Sequence, residues 1–300
     1  MSDEECNGGA HVPPQPPGPW LAEYAPERAQ RYARVRKLGA GAFGEVSLLL
    51  DTWTGVHVAG KAIHVAAGGA SARVGGGRGG FWGGGSGGGG LGGRAAFEEP
   101  ELPKPIFREL MALRRVAGHP HVLGLLDCYP AAGDLVLVTA FCPSDLELVV
   151  DRAIAPLPLR AVACLGGMLL SALAHIHACG LVHRDVKPAN CLVAPDGRLK
   201  LADFGLTRPL DERGDMSHQV CTRWYRPPEL LYGARRYGCG VDVWGAGCVV
   251  AELLLLSPLF PGTSDIDQLH RVLQVRCQPV KGEGGRMPQL PRTCAACTHR

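Results

Sequence analysis

Within LVHRDVKPANCLVAPDGRLKLADFG, residues 181–205, the side chains able to do chemistry are Asp185, Lys187, Asn190 and Asp203, set between apolar runs. Carboxylate and amide oxygens are hard donors of the kind a divalent ion selects. A second signal lies upstream, in Gly39-x-Gly41-x-x-Gly44. Glycine lets backbone N–H groups come close to phosphate oxygens. A dinucleotide fold would need a helix directly after such a loop. Here EVSLLL reads as a strand, which puts the glycines in a hairpin. Taken alone, the motif reads equally well as an ordinary glycine hairpin. The following VAGK places Lys61 on the next strand.

The elements that must hold these groups are legible as periodicities. Val35, Leu38, Val46, Leu48, Val56 and Val58 follow strand spacing with turn signals between them. Ile106, Leu110 and Leu113 share one helical face. Residues 135–141 read as a buried strand, 159–179 as a long apolar helix and 241–256 as a second buried helix. Short strands are expected at 191–193 and 199–201. A strand-rich half thus passes into a helix-rich half, with no internal repeat.

Three segments carry no such pattern. Residues 1–30 are rich in proline, glycine and charge and read as a disordered or polyproline tail. Residues 66–100 are dominated at their start by glycine and read as a flexible insertion. Residues 276–300 read as a second disordered tail. Cys294 and Cys297, with Cys277 and His299, suggest zinc, but one CxxC without a second pair at proper spacing is a weak signal. The lobes then span 31–141 and 142–275.

Composition narrows the function. A formal charge of +3 over 300 residues argues for neither nucleic acid nor a membrane surface. Residues 1–6 are acidic and no apolar segment follows, so no signal peptide is read. The apolar run at 243–256 contains Glu252 and is too short to span a bilayer. Twelve cysteines without a secretory signal imply a reducing compartment and mostly free thiols.

His183-Arg184-Asp185 with Asn190 five residues later resembles the catalytic loop of protein kinases, and Asp203-Phe204-Gly205 resembles their metal-binding motif. CTRWYRPPELLYGARRYGCGVDVWG is similar to the activation segment of cyclin-dependent kinases, most of all their cell-cycle-related branch. The resemblance implies an α+β, bilobal protein-kinase fold, with a β-rich N-lobe of five strands and one helix. The C-lobe is helical and lacks its last helices. It implies ATP and Mg²⁺ as cofactors and phosphoryl transfer to Ser or Thr followed by Pro.

The roles implied are these. Asp185 accepts or orients the substrate hydroxyl proton, Lys187 neutralises the γ-phosphate, and Asn190 and Asp203 hold Mg²⁺. Lys61 holds the α/β-phosphates and pairs with Glu109; Glu98, Glu99 and Glu101 are rival partners. The 48-residue gap between Lys61 and Glu109 exceeds the family's, but each doubling of a flexible loop costs only about 0.6 kcal/mol. Leu38, Gly39, Ala40, Gly41, Gly44, Val46, Ala59, Thr139, Ala140, Phe141, Cys142 and Leu192 line the nucleotide. Ser217 matches the activating phosphoacceptor, gathered by Arg108, Arg184 and Arg208. His183 packs and bonds backbone, and Asp242 braces the catalytic loop. PKPIFRE is the expected contact for a cyclin or cyclin-like activator. The compartments implied are nucleus, cytoplasm or cilium. The rival reading is a catalytically impaired, truncated kinase that binds nucleotide or cyclin.

Four departures from the family stand out. Ala42 and Phe43 replace its Thr-Tyr pair, which removes inhibitory phosphorylation there. Thr139 holds the position between the lobes where Phe is common, implying a more open back pocket. Pro227 replaces an alanine before Pro228-Glu229. The helices that follow Leu273 in the family are missing, so Glu229 is expected to lack its arginine. Re-exposing four or five leucines near 253–256, at about 1.5–3 kcal/mol each, would rival a whole domain's stability of about 5–15 kcal/mol.

Overall fold

The computed structural model describes residues 30–41, 44–64, 104–131, 134–210 and 216–276. The expectations for both tails, the glycine-rich insertion, Ala42, Phe43, the rival glutamates and the CxxC pair lie outside the described residues.

The N-terminal lobe is a five-stranded antiparallel sheet in the order β1-β2-β3-β5-β4. Its strands are β1 (Tyr32–Gly41), β2 (Gly44–Asp51), β3 (Val56–His64), β4 (Leu125–Ala131) and β5 (Asp134–Ala140). Helix α1 (Lys104–Arg115) packs on one face. The two-residue period of a strand explains how. On β5, Leu135 and Leu137 join Leu110, Leu113 and Val116 in the main core. Val136 and Val138 point the other way and pack with Tyr32, Leu49, Val58 and Tyr129. Burying each such side chain contributes about 1.5–3 kcal/mol. Periodicity did not locate strand β4, the fifth of the expected strands, because Asp127 and Pro130 interrupt its apolar pattern.

The C-terminal lobe is built on α3 (Leu159–Ala178) and α5 (Gly240–Leu255), which pack together. Val162, Gly166, Leu169, Leu173 and Ile176 form the inward stripe of α3, at the spacing of a helix period. A methyl on Gly166 would meet Val250 at 3.2 Å. Among the described residues α3, rather than the run at 243–256, is the helix that by length and composition alone is apolar enough to cross a membrane. Short strands β6 (Ser144–Asp145), β7 (Leu181–Val182), β8 (Cys191–Val193), β9 (Leu199–Leu201) and β10 (Arg208–Pro209) frame the catalytic stretch. Leu199, Leu201 and Phe204 are fully buried there.

Helices α2 (Leu146–Arg152), α4 (Pro228–Leu231) and α6 (Asp265–Arg276) complete the lobe. Periodicity alone did not locate helix α6, yet its start was signalled. Ser264 and Asp267 form the S-x-x-D pattern of an N-terminus, and the Asp267 N–H donates to the Ser264 hydroxyl over 3.1 Å. The leucine expectation is corrected: Leu254 and Leu255 are exposed, but Leu253 is buried and Leu256 packs against the core. Two side chains, not four or five, face solvent. All eight described cysteines are free thiols.

Candidate active site

The glycine motif is a hairpin, as read. Gly39, Ala40 and Gly41 on β1 face Val46, Glu45 and Gly44 on β2. Gly44 has φ +140°, and a Cβ there would lie 1.8 Å from the Ala62 carbonyl oxygen. Only glycine fits that approach of β2 to β3. Strand register then sets the side chains in order. Val46 pairs with Lys61, Leu48 with Ala59, and Ala59 with Thr139. Ala140 ends β5, and Phe141 and Cys142 connect it to β6. Burial pushes the Cys142 thiol up. Leu192 lies on β8, opposite Asp145.

Lys61 meets Glu109 as expected, with Nζ 2.6 Å from Oε1. A second carboxylate, Asp203 Oδ1, is 3.4 Å from the same Nζ. Burial alone would lower Lys61, but these two anions outweigh it and hold its pKa up. Glu109 sees one cation and, beyond it, the like charge of Asp203. Burial therefore dominates and its pKa is raised.

Asp185 is the most fully engaged of the group. Its Oδ1 accepts from the Thr222 N–H at 3.1 Å and the Thr222 hydroxyl at 3.0 Å. Its Oδ2 accepts from Asn190 Nδ2 at 3.0 Å and lies 2.8 Å from Lys187 Nζ. Burial would raise its pKa. The Lys187 hydrogen bond and charge, with the Thr222 hydrogen bond, outweigh burial and hold it below the usual carboxylate value. Thr222 was not singled out in the sequence, where it is one letter of CTRWY. Its partner lies 37 residues away, beyond any periodicity.

The loop beneath is braced from α5. The Asp242 carboxylate accepts from the His183 and Arg184 N–H groups, each at 2.8 Å, and contacts His177 Nε2 at 2.8 Å. This frame holds Arg184 at φ +70°, a backbone state that costs non-glycine residues energy. Asp203 likewise sits at φ +63°. His183 packs edge-on to Phe204 at 5.2 Å. Its Nδ1 accepts from the Asp185 N–H, which leaves Nε2 to donate to the Ala202 carbonyl at 3.0 Å.

The activation segment approaches the same loop. Ser217 is exposed, and its carbonyl accepts from the Tyr237 hydroxyl at 2.6 Å. Arg184 Nη1 donates to that hydroxyl at 2.9 Å, and its Nε to the Leu206 carbonyl at 2.7 Å. Arg208 lies on β10, paired with Val182 of β7. Arg108 lines a cavity of about 500 Å³ with Phe107, Met111, Thr207 and Pro209. No motif or spacing pointed to Tyr237.

The residues present fit the cofactors the resemblance implies. Both Asn190 donor bonds go to Asp185, to its backbone and to its carboxylate, so the amide carbonyl oxygen is what Asn190 offers a cation. Asp203 supplies a half-exposed carboxylate nearby on the same cleft. No cluster of three or more His, Cys, Asp or Glu able to hold a metal occurs among the described residues. One carboxylate and one amide oxygen suit Mg²⁺, which binds through one or two carboxylates plus phosphates.

A sheet lobe with a Lys–Glu pair, set over a helical lobe with this loop, defines the protein kinases. Residues 94–295 match the protein kinase domain family, and the chain belongs to it. Its relatives are of the cyclin-dependent type. Cyclin-dependent kinase 20 of Danio rerio is 45% identical over 195 residues, covering 64% of this chain and 57% of that one. Cyclin-dependent kinase 7 of Xenopus laevis is 36% identical over 265 residues, covering 88% and 67%. A chain of the CAK complex from Chaetomium thermophilum bound to ATP-γ-S superposes with a TM-score of 0.66 at 33% identity, covering 83% of this chain and 69% of that one. The chain spans little more than half the length of the first of these relatives. The family uses ATP and Mg²⁺.

Proposed function

We propose that the protein is an ATP-dependent serine/threonine kinase of cyclin-dependent type that acts on Ser or Thr followed by Pro. One observation carries this reading. The Lys61–Glu109 pair is closed at 2.6 Å while Asp203 stands 3.4 Å from the same ammonium. The groups that must converge on a nucleotide's phosphates therefore share one cleft.

Phosphoryl transfer rests on positioning and charge stabilisation more than on covalent help. Lys61, oriented by Glu109, takes the α/β-phosphates. When bound, Mg²⁺ would neutralise phosphate charge from between Asn190 and Asp203. Asp185 aligns the substrate hydroxyl. Its lowered pKa makes it a weak base, so it orients the hydroxyl first and accepts the proton late. Lys187 faces the transferred phosphate, and Thr222 fixes the rotamer of Asp185. Ser217 is the phosphoacceptor that tightens the segment, with Arg108, Arg184 and Arg208 as its partners.

Backbone geometry supports the proposed proline preference. Cys221 has φ +61°, and its carbonyl accepts from Arg226 Nη2 at 3.1 Å. The Val220 carbonyl accepts from Arg226 Nε at 3.0 Å. The Val220 and Cys221 carbonyls, which precede Thr222, are thus both engaged by Arg226. A substrate residue carrying an N–H at that place finds no acceptor, and proline has no N–H to leave unpaired. Exposed Phe107 and Met111 on α1 give an activator of the cyclin kind an apolar face.

The test is Mg²⁺-dependent transfer from ATP to a Ser-Pro peptide and a matched Ser-Ala peptide, with Asp203→Asn as control. Transfer to the first and not the second is expected. Nucleotide binding without transfer would replace the enzyme by a nucleotide-binding protein.

A further inference from the structure

The Tyr237 hydroxyl links three segments that are distant in sequence. It donates to the Ser217 carbonyl at 2.6 Å and accepts from Arg184 Nη1 at 2.9 Å. Arg184 in turn bonds the Leu206 carbonyl, one residue past the Asp203-Phe204-Gly205 motif. It also precedes Asp185 directly. A phenol offers one donor and accepts through its oxygen, and here both capacities are spent on the segments that must be ordered together. The ring is anchored independently, against the buried cluster of Val182, Val220, Cys221, Leu230 and Val241. A second bond ties the same two loops: the Met216 N–H donates to the Arg235 carbonyl at 2.9 Å.

We infer that Tyr237 is a positioning residue that holds the Ser217 segment onto the catalytic loop before Ser217 carries a phosphate. It does part of the work a phosphate would do, since both engage Arg184. A phosphate brings more charge and more acceptors, so the phenol's share matters most in the unmodified protein. The inference rests on the kinase reading for its kinetic arm and on geometry alone for its structural arm.

The experiment compares Tyr237→Phe in two backgrounds of the full chain, unmodified and Ser217→Glu. Phenylalanine keeps the packed ring and removes only the hydroxyl. In the unmodified background kcat/KM for the peptide should fall about tenfold, the worth of a hydrogen bond to a charged group. In the Ser217→Glu background it should change less than about twofold, because the arginines then have an anion to gather. Hydrogen exchange of the amides at 216–221, measured with and without ATP, should accelerate in Tyr237→Phe and return toward wild type in the double variant. Equal losses in both backgrounds, or unchanged exchange, would overturn the inference. If the unvaried protein transfers no phosphate, the kinase reading fails while the exchange measurement still decides the role of Tyr237.

Discussion

Thr222 Oγ1 stands 3.0 Å from Asp185 Oδ1 and 3.1 Å from Lys187 Nζ, which itself lies 2.8 Å from the other Asp185 oxygen. The three groups close a ring of polar contacts around the carboxylate. Removing the hydroxyl frees one side of it. Thr222→Val keeps the volume and the β-branch, so the fold should hold, while kcat falls by about 10- to 100-fold as Asp185 loses its set rotamer. Thermal melts alongside steady-state rates check this: a variant that melts normally at full rate would remove Thr222 from the site.

Asp242 is buried beneath the loop and serves three partners with one carboxylate. Asp242→Asn puts donor against donor at one oxygen position. Two facing donors left unpaired cost about 1–3 kcal/mol each, so the variant should lose about 2–6 kcal/mol of stability. Denaturant unfolding monitored by tryptophan fluorescence reads this directly, and the loss should exceed that of Thr222→Val.

The pH profile should have its acid limb at Glu109 rather than Asp185. Glu109 is raised, so on acidification it takes up its proton above the ordinary glutamate value of about 4.3, and the Lys61 pair opens. Asp185 is lowered and stays ionised through that window. Hence kcat/KM should fall on the acid side while Asp185 is still charged. In Glu109→Gln the residual rate should be flat over the same range. A limb that survives in that variant would assign it elsewhere.

Arg226 bonds the Val220 and Cys221 carbonyls, which on the proposed reading flank the substrate's next residue. Arg226→Lys retains charge but not the two-pronged geometry. Freeing the Cys221 carbonyl should let a Ser-Ala peptide be used, narrowing the Ser-Pro preference by about 1 kcal/mol or roughly fivefold. The ratio of kcat/KM for the two peptides is the measurement.

Much of the site was legible before any fold was considered. Asp185 and Asp203 sit in loops and Asn190 in a single 3-10 turn, each bounded by short apolar strands, and strands 191–193 and 199–201 fall where alternation put them. Lys61 was placed by the strand after the glycine loop, and Glu109 by the resemblance of its helix to that of the cyclin-dependent kinases. Strand β4 was missed because Asp127 and Pro130 break its alternation, although Asp127 is occupied with the Tyr32 hydroxyl at 3.0 Å. Helix α6 was missed although its Ser264–Asp267 start was written in the chain.

The amino-acid sequence by itself determined which groups are available and which short elements carry them, because periodicity, glycine conformation and capping are local properties. Tertiary structure alone decided the rest. Thr222 reaches Asp185 across 37 residues, and Tyr237 reaches Ser217 across 20 and Arg184 across 53. A hydroxyl or phenol carries no periodic signature. Its partner is set only when packed helices bring distant loops within hydrogen-bond distance, and the same packing holds Arg184, Asp203 and Cys221 in left-handed backbone states that no local preference would choose.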